Sequence, residues 1–266
     1  MTRLARVLLL LGSLLALALL YAPLLVTLLF SFNAPRGRFN LVWQGFTLDN
    51  WRHPFADAAL SQAFVTSIGL ALAASLLAVL LGGLMAIALS RARRLPGHRW
   101  IALLLALPLT NPEIVLATAL LNLFVAINLP RGVLTLLLSH SLFCLSYAAL
   151  TLKARLAGFD PALELAAQDL GAPPLQAFRR VTLPLLAPGL LAAGLLSFSL
   201  CFDDVVISGF TAGEIVTLPL YLAGAFLREI SPQIQVLSSL VLLISALLLV
   251  LATPPRPERK GGGPPG

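Results

Sequence analysis

Long apolar runs alternate with short polar ones along this chain. The apolar runs occupy about residues 7–31, 63–89, 101–127, 133–152, 185–206 and 234–252. Each is close to ~20 residues or longer, enough for a helix to cross the hydrocarbon core of a bilayer. The pattern predicts an all-α membrane protein with six transmembrane helices. The first run follows Arg3 and Arg6 and stays apolar past the usual core of a signal peptide. No small-x-small cleavage site follows, so it is expected to be a retained span.

The polar stretches between the runs carry the detail. Residues 159–189 form a polar, proline-punctuated insert between two long apolar runs. Asp160 suits a helix N-terminus and Pro161 its first turn. Gly171 suits the residue past its end, and Pro173-Pro174 stops continuation. A second short turn, Leu175 to Val181, presents Phe178, Arg179 and Arg180 before Pro184. The expected shape is helix, glycine corner, short helix, then entry into the membrane, which is the outline of a docking element. Residues 32–62 are expected to lie along the membrane interface or to form a short amphipathic helix, with Trp43, Trp51 and Phe55 as anchors without a chemical role. Residues 207–233 form a second loop on the same side, and the Pro- and Gly-rich tail 253–266 is expected to be disordered. The third run is interrupted by Pro108 and Pro112, either as a structural kink or as a break lining a pathway. There is no internal repeat of the kind that marks inverted-repeat transporters.

Composition and charge sharpen this picture. The chain is 59% hydrophobic and 11% charged, too few charges to cover a water-soluble surface of 266 residues. The net charge of +7 does not point to nucleic acid, because the basic residues lie between the spans. Thirteen of the 18 Lys and Arg residues fall on the face that holds both termini, the 90–100 turn and the 153–180 segment; the other five face the opposite side. The basic-rich face is expected to be cytoplasmic.

Chemistry-bearing residues are few. There is no phosphate loop, no Gly-x-Ser-x-Gly elbow and no zinc helix. His140 and Cys144 share a helix face but two ligands make no metal site, so His140 is expected to hydrogen-bond between helices. Cys144 and Cys201 are expected to be small buried side chains. The sharper signal is three acids in or near spans. Glu113 sits in the broken third run. Asp203 and Asp204 end the fifth, near its outer face if the helix is counted from Pro184. Read blandly, Glu113 is salt-bridged or protonated and the two aspartates are a wet helix end. Read functionally, one acid at mid-depth and two at the outer mouth form a pathway for a cationic solute.

Leu-Ala-Ala-Gln-Asp-Leu-Gly-Ala followed by Val181-Thr-Leu-Pro184 resembles the EAA loop of ABC-importer permeases. The matching positions are Ala166, Ala167, Gly171, Val181, Leu183 and Pro184. The motif's Glu falls on Leu165, and Glu164 lies one residue early, about 100° around the helix. Docking is therefore expected to lean on shape, the glycine corner and Arg179/Arg180, and replacement of Glu164 to be mild. Other stretches, Trp43–Thr47, Pro112–Val115, Ser139–Cys144 and Ser197–Ser208, are similar to the C-type membrane subunits of spermidine/putrescine importers.

The resemblance implies a type I importer permease fold. A first helix and loop (1–62) would precede a five-helix core (63–252) carrying a coupling loop at 153–184. Glu164, Ala166, Ala167, Gly171, Phe178, Arg179 and Pro184 would couple it to an ATPase. It further implies a lipid-embedded, multi-pass subunit of a bacterial inner membrane, with a second permease, an ATPase dimer and an external solute-binding protein as partners. ATP and Mg would sit on the ATPase, and this chain would carry no cofactor. Two alternatives stay open: a permease for another solute (organic cation, amino-phosphonate, thiamine or iron), and a membrane enzyme or scaffold subunit.

Overall fold

Asn111 precedes Pro112, whose ring pushes the residue before it out of the helical region, and Asn111 is extended at φ −83°, ψ 142°. The third apolar run is consequently two helices, α4 (His98–Thr110) and α5 (Glu113–Ala126), bent by 109°. Pro108 stays inside α4. Only the second proline makes the break, and the break is far sharper than a kink in one rod. The structure, a computed structural model, describes residues 3–91 and 97–252, with side chains to 247. The expected disordered tail and Arg93 and Arg94 lie outside the described residues.

In chain order the remaining helices are α1 (Arg3–Phe30), α2 (Asp49–Arg52), α3 (Ala58–Arg91), α6 (Val133–Ala157), α7 (Ala162–Asp169), α8 (Pro174–Ala177), α9 (Leu183–Phe202), α10 (Val206–Thr211), α11 (Leu218–Arg228) and α12 (Pro232–Ala252). Among the described residues four helical runs are long and apolar enough to cross a membrane: α1, α3, α6 and the continuous run Pro174–Phe202. The α4–α5 pair makes five if counted as one span. The sixth expected run is α12, whose part to Leu247 is a shorter apolar helix. The six-span expectation thus resolves into four full helices, one broken pair and α12.

The chain divides into two units. One comprises residues 1–58 and 225–266. Here α12 packs on α1 and α2. No residue of α1 is buried, as suits an apolar helix with lipid around it. The segment after α1 is folded on itself and includes the short helix α2. Asn33 is fully buried and uses all its hydrogen-bonding capacity. Its Nδ2 donates to Asn40 Oδ1 (2.6 Å) and the Val42 carbonyl (2.8 Å). Its Oδ1 accepts from the amides of Gln44 (2.7 Å) and Gly45 (3.3 Å). Phe32 stacks on both Phe46 and Trp51, and the Trp51 indole donates to Ser31 Oγ at 3.0 Å. Trp51, expected as a membrane anchor, is part of this small core.

The other unit, residues 59–224, holds the larger core. Small side chains let the helices approach closely, as membrane packing favours. Ala71, Ala74 and Ala78 of α3 meet Phe143 and Cys144 of α6 and Cys201 of α9. At Gly82 of α3 an added Cβ would sit 2.9 Å from the Ala149 amide nitrogen of α6, so the two backbones touch. Helix α9 packs along α6. Gly189 leaves room for the Arg155 stem, whose guanidinium donates to the Leu185 carbonyl at 3.3 Å. The thiols of Cys144 and Cys201, both free, lie 3.1 Å apart across the same seam.

Candidate functional site

The 159–189 insert folds as its residues dictate. Asp160 Oδ1 accepts the Ala162 amide at 2.9 Å and opens α7. At the far end the Gly171 amide reaches the Gln168 carbonyl (2.8 Å) and the Ala172 amide the Ala167 carbonyl (3.1 Å). This pair of bonds is a Schellman closure, and it needs the left-handed φ of +89° that Gly171 supplies. Pro173 is extended and Pro174 starts α8. Residues Phe178–Thr182 then form one π turn that runs straight into α9. Pro184 accounts for it: it offers no amide to the Arg180 carbonyl and its ring crowds that oxygen, so the ladder relaxes by one residue.

This insert has two faces. Outward lie Leu165, Leu170 and Leu175, of which Leu170 is 90% exposed. Ala166, Gly171, Arg179 and Pro184 are exposed beside them, and Ala167 and Phe178 are half-buried. Inward points Glu164. Arg91 Nη2 lies 2.9 and 2.8 Å from its two carboxylate oxygens, and the Thr182 hydroxyl donates to Oε2 at 3.0 Å. The offset from the motif's Glu position therefore carries Glu164 into a charge contact within its own chain and leaves Leu165 facing out.

The second cluster forms where α9 ends. Asp203 caps α9 and is exposed; Asp204 is buried. Asp204 accepts the amides of Ile207 (3.2 Å) and Ser208 (2.8 Å), closing the N-terminus of α10. Its Oδ2 lies 3.1 Å from His140 Nε2. His140 Nδ1 is 2.8 Å from the Leu136 carbonyl, so Nδ1 must donate, and one further proton must lie between Nε2 and the carboxylate. His140 thus makes the expected interhelical bond. Glu113 stands in the first turn of α5, with Asp204, Asp203 and His140 close enough to act on it electrostatically. The acids do not form one mid-depth site and a separate mouth: α5 packs on α10 and brings Glu113 to Asp204. Nor are the two aspartates a wet pair; only Asp203 is. Among the described residues no group of three metal-ligating side chains occurs.

The profile of the family described as binding-protein-dependent transport system inner membrane component matches residues 78–253, more than half of the chain. The chain belongs to this family. It is a permease subunit of an ABC importer, a multi-pass inner-membrane transport component and not an enzyme, and membership implies an ATPase and a substrate-binding protein as partners. The permease is 36% identical to the spermidine/putrescine transport system permease protein PotC of Haemophilus influenzae over 88% of this chain and 91% of that one. It is 36% identical to the putrescine transport system permease protein PotI of Escherichia coli K12, over 86% and 83%. Its fold matches a bacterial ABC transporter that imports the acidic polysaccharide alginate, with a TM-score of 0.64 at 16% identity over 94% of this chain and 96% of that one. An amino acid ABC transporter matches with a TM-score of 0.57 at 17% identity over 77% and 98%.

Sequence reasoning missed three participants in the permease. Arg91 was counted only as a topology charge, Thr182 not at all, and Ser208 only within a motif. Arg91 and Glu164 are 73 positions apart, and no local pattern announces such a pair. A partial signal existed: Asp204 lies three residues before Ile207, the spacing at which a side chain caps a helix start, and Ser208 follows Ile207.

Proposed function

We propose that this permease forms, with a second and different permease subunit, the membrane pathway of an ATP-driven polyamine importer. The observation that carries this reading is the 36% identity over most of the chain to permeases named for spermidine and putrescine. The site chemistry agrees with it. Glu113 is half-exposed at a helix break and Asp203 is exposed at a helix end, so both can accept charge-assisted hydrogen bonds from ammonium groups. Asp204, saturated by His140 and two amides, holds α10 in place beside them rather than meeting the solute.

The 159–189 insert is the coupling element. Its exposed leucines, the Gly171 corner and Arg179 would seat in the partner ATPase dimer, which carries ATP and Mg; this chain has no phosphate loop and no cofactor of its own. Closure of the ATPases would press on α7 and α8. The continuous Pro174–Phe202 helix would carry that movement to the acid cluster at its other end, turning the pathway outward to a periplasmic or extracellular solute-binding protein. Hydrolysis would reset it. The distribution of basic residues supports both termini, and this insert, on the cytoplasmic side.

The test is uptake into vesicles that contain the complete importer and its binding protein. Saturable, ATP-dependent uptake of labelled putrescine or spermidine is expected. Uptake of thiamine, an amino-phosphonate or iron that neither polyamine inhibits would overturn the assignment of solute while leaving the permease intact.

A further inference from the structure

Helix α7 has no buried residue, so no apolar core holds it against the membrane helices. It packs on α8 and the π turn. What ties it to α3 is polar. Arg91 is the last residue of α3, and its Nη2 reaches both oxygens of Glu164. The same guanidinium lies over the Phe178 ring, its Cζ 5.9 Å from the centroid. Thr182, 2% exposed, donates to the remaining side of the carboxylate. One carboxylate thus joins the end of α3, the first turn of α7 and the entry to α9.

Burial makes the tie matter. The Glu164 side chain is 13% exposed and the Arg91 side chain 52%. A carboxylate so withdrawn from water needs its partners, and losing one leaves the charge uncompensated. Arginine suits this place better than lysine. Its planar head can face a carboxylate and lie on an aromatic ring at once, where an ammonium is a single point charge.

We propose that Arg91 is a positioning residue for coupling: through Glu164 it fastens α7 to the end of α3, so that a push on α7 moves α3 together with α9. This rests on the reading of 159–189 as the coupling element. It reverses the expectation that replacing Glu164 is mild. Without the tie, α7 would still fold on its capping bonds but would swing on the Gly171 corner and pass force to α9 alone.

The test uses the complete importer in proteoliposomes and reads putrescine internalised per ATP hydrolysed, with the amount of reconstituted permease measured alongside. Arg91→Gln and Glu164→Gln should each lower that ratio about fivefold or more, the lower end of typical site-to-site coupling. Arg91→Lys should fall between them and the native protein. Arg91→Glu combined with Glu164→Arg should recover most of what either reversal loses, a rescue that a merely structural role for either residue alone would not produce. If Arg91→Gln does not reach the membrane, Arg91→Lys and the double reversal are read in its place. Gly171→Asp separates the two levels of argument. If it uncouples the importer while the Arg91 and Glu164 variants keep the native ratio, the tie is refuted and the coupling reading stands. If Gly171→Asp keeps the native ratio, the coupling reading fails and the tie fails with it. A double reversal no better than the single ones refutes the pairing.

Discussion

Replacing Asp204 by alanine or by asparagine should give two very different proteins. Asp204 accepts the Ile207 and Ser208 amides and meets His140 Nε2, all in a buried place. Alanine removes every one of these acceptors. Two amides at the start of α10 are orphaned, and His140 keeps its bond to Leu136 and the Ser208 hydroxyl at 3.3 Å; breaking a buried charged pair costs roughly 3–5 kcal/mol. Asparagine can re-form most of the set. With its amide in the place of Oδ2 it can donate to Nε2 while Nδ1 goes on donating to the Leu136 carbonyl, and its oxygen in the place of Oδ1 keeps the Ile207 amide. The Ser208 bond, which shares Oδ2 with His140, is lost, which costs on the order of 1 kcal/mol. The expected gap of about 2–4 kcal/mol is more than tenfold in the folded population. Purified importer is heated in detergent and the fraction of permease surviving as a monodisperse complex is measured. The native protein and Asp204→Asn should survive alike to within a few degrees, and Asp204→Ala should fail well before them. Equal survival of the two variants would refute the account of Asp204 as a latch. As a cross-check, His140→Ala with Asp204→Ala should be less harmful than the sum of the two, because both remove one interaction.

Asp203→Asn should weaken polyamine uptake with no change in that heat resistance, since Asp203 is exposed; unchanged uptake kinetics would leave it a simple helix end. Gly82→Val should deplete folded permease, because its Cβ would press on the Ala149 nitrogen at 2.9 Å and on the Leu145 oxygen at 3.0 Å. Gly83→Ala, 3.5 Å from the end of a leucine, should be nearly neutral by the same heat-survival assay. Asn33→Asp puts an accepting oxygen where Nδ2 donates to the Asn40 and Val42 oxygens, and faster amide exchange across residues 33–45 is the expected readout.

What was legible in the sequence was local. Asp160, Gly171 and Pro173 announced a helix, a corner and a restart because capping and φ preferences act over a few residues. The apolar runs likewise announced helices. The broken run was only half legible: two prolines looked equivalent, but Pro108 lies within α4, whereas Pro112 follows an asparagine that the ring forces to extend. The 31–57 fold was hidden because asparagines hold it, and a hydrophobic pattern cannot register them. The site was legible as types of residue but not as an arrangement. His140 and Asp204 stand 64 positions apart, and the depth count along α9 placed Asp203 and Asp204 together without showing that the chain turns between them. The same is true of Glu164: the one-residue offset was visible, while Arg91, which gives the offset its meaning, belongs to another helix.

The seam between α6 and α9 bears on how this chain can vary. The insert leaves from the end of α6 and returns at the start of α9. Those two points are already clasped, by Arg155 over Gly189 and by the facing thiols of Cys144 and Cys201 deeper in. The loop therefore closes over a gap that the membrane helices hold without its help. Lengthening such a loop is thermodynamically cheap, about 0.6 kcal/mol for a doubling. Changes in insert length should thus be invisible to folding yet plain to the machine, since a longer lever arm meets its drive at the wrong place. Fold and transmission are separable properties here, and a variant library at the Gly171 corner would explore the second while hardly touching the first.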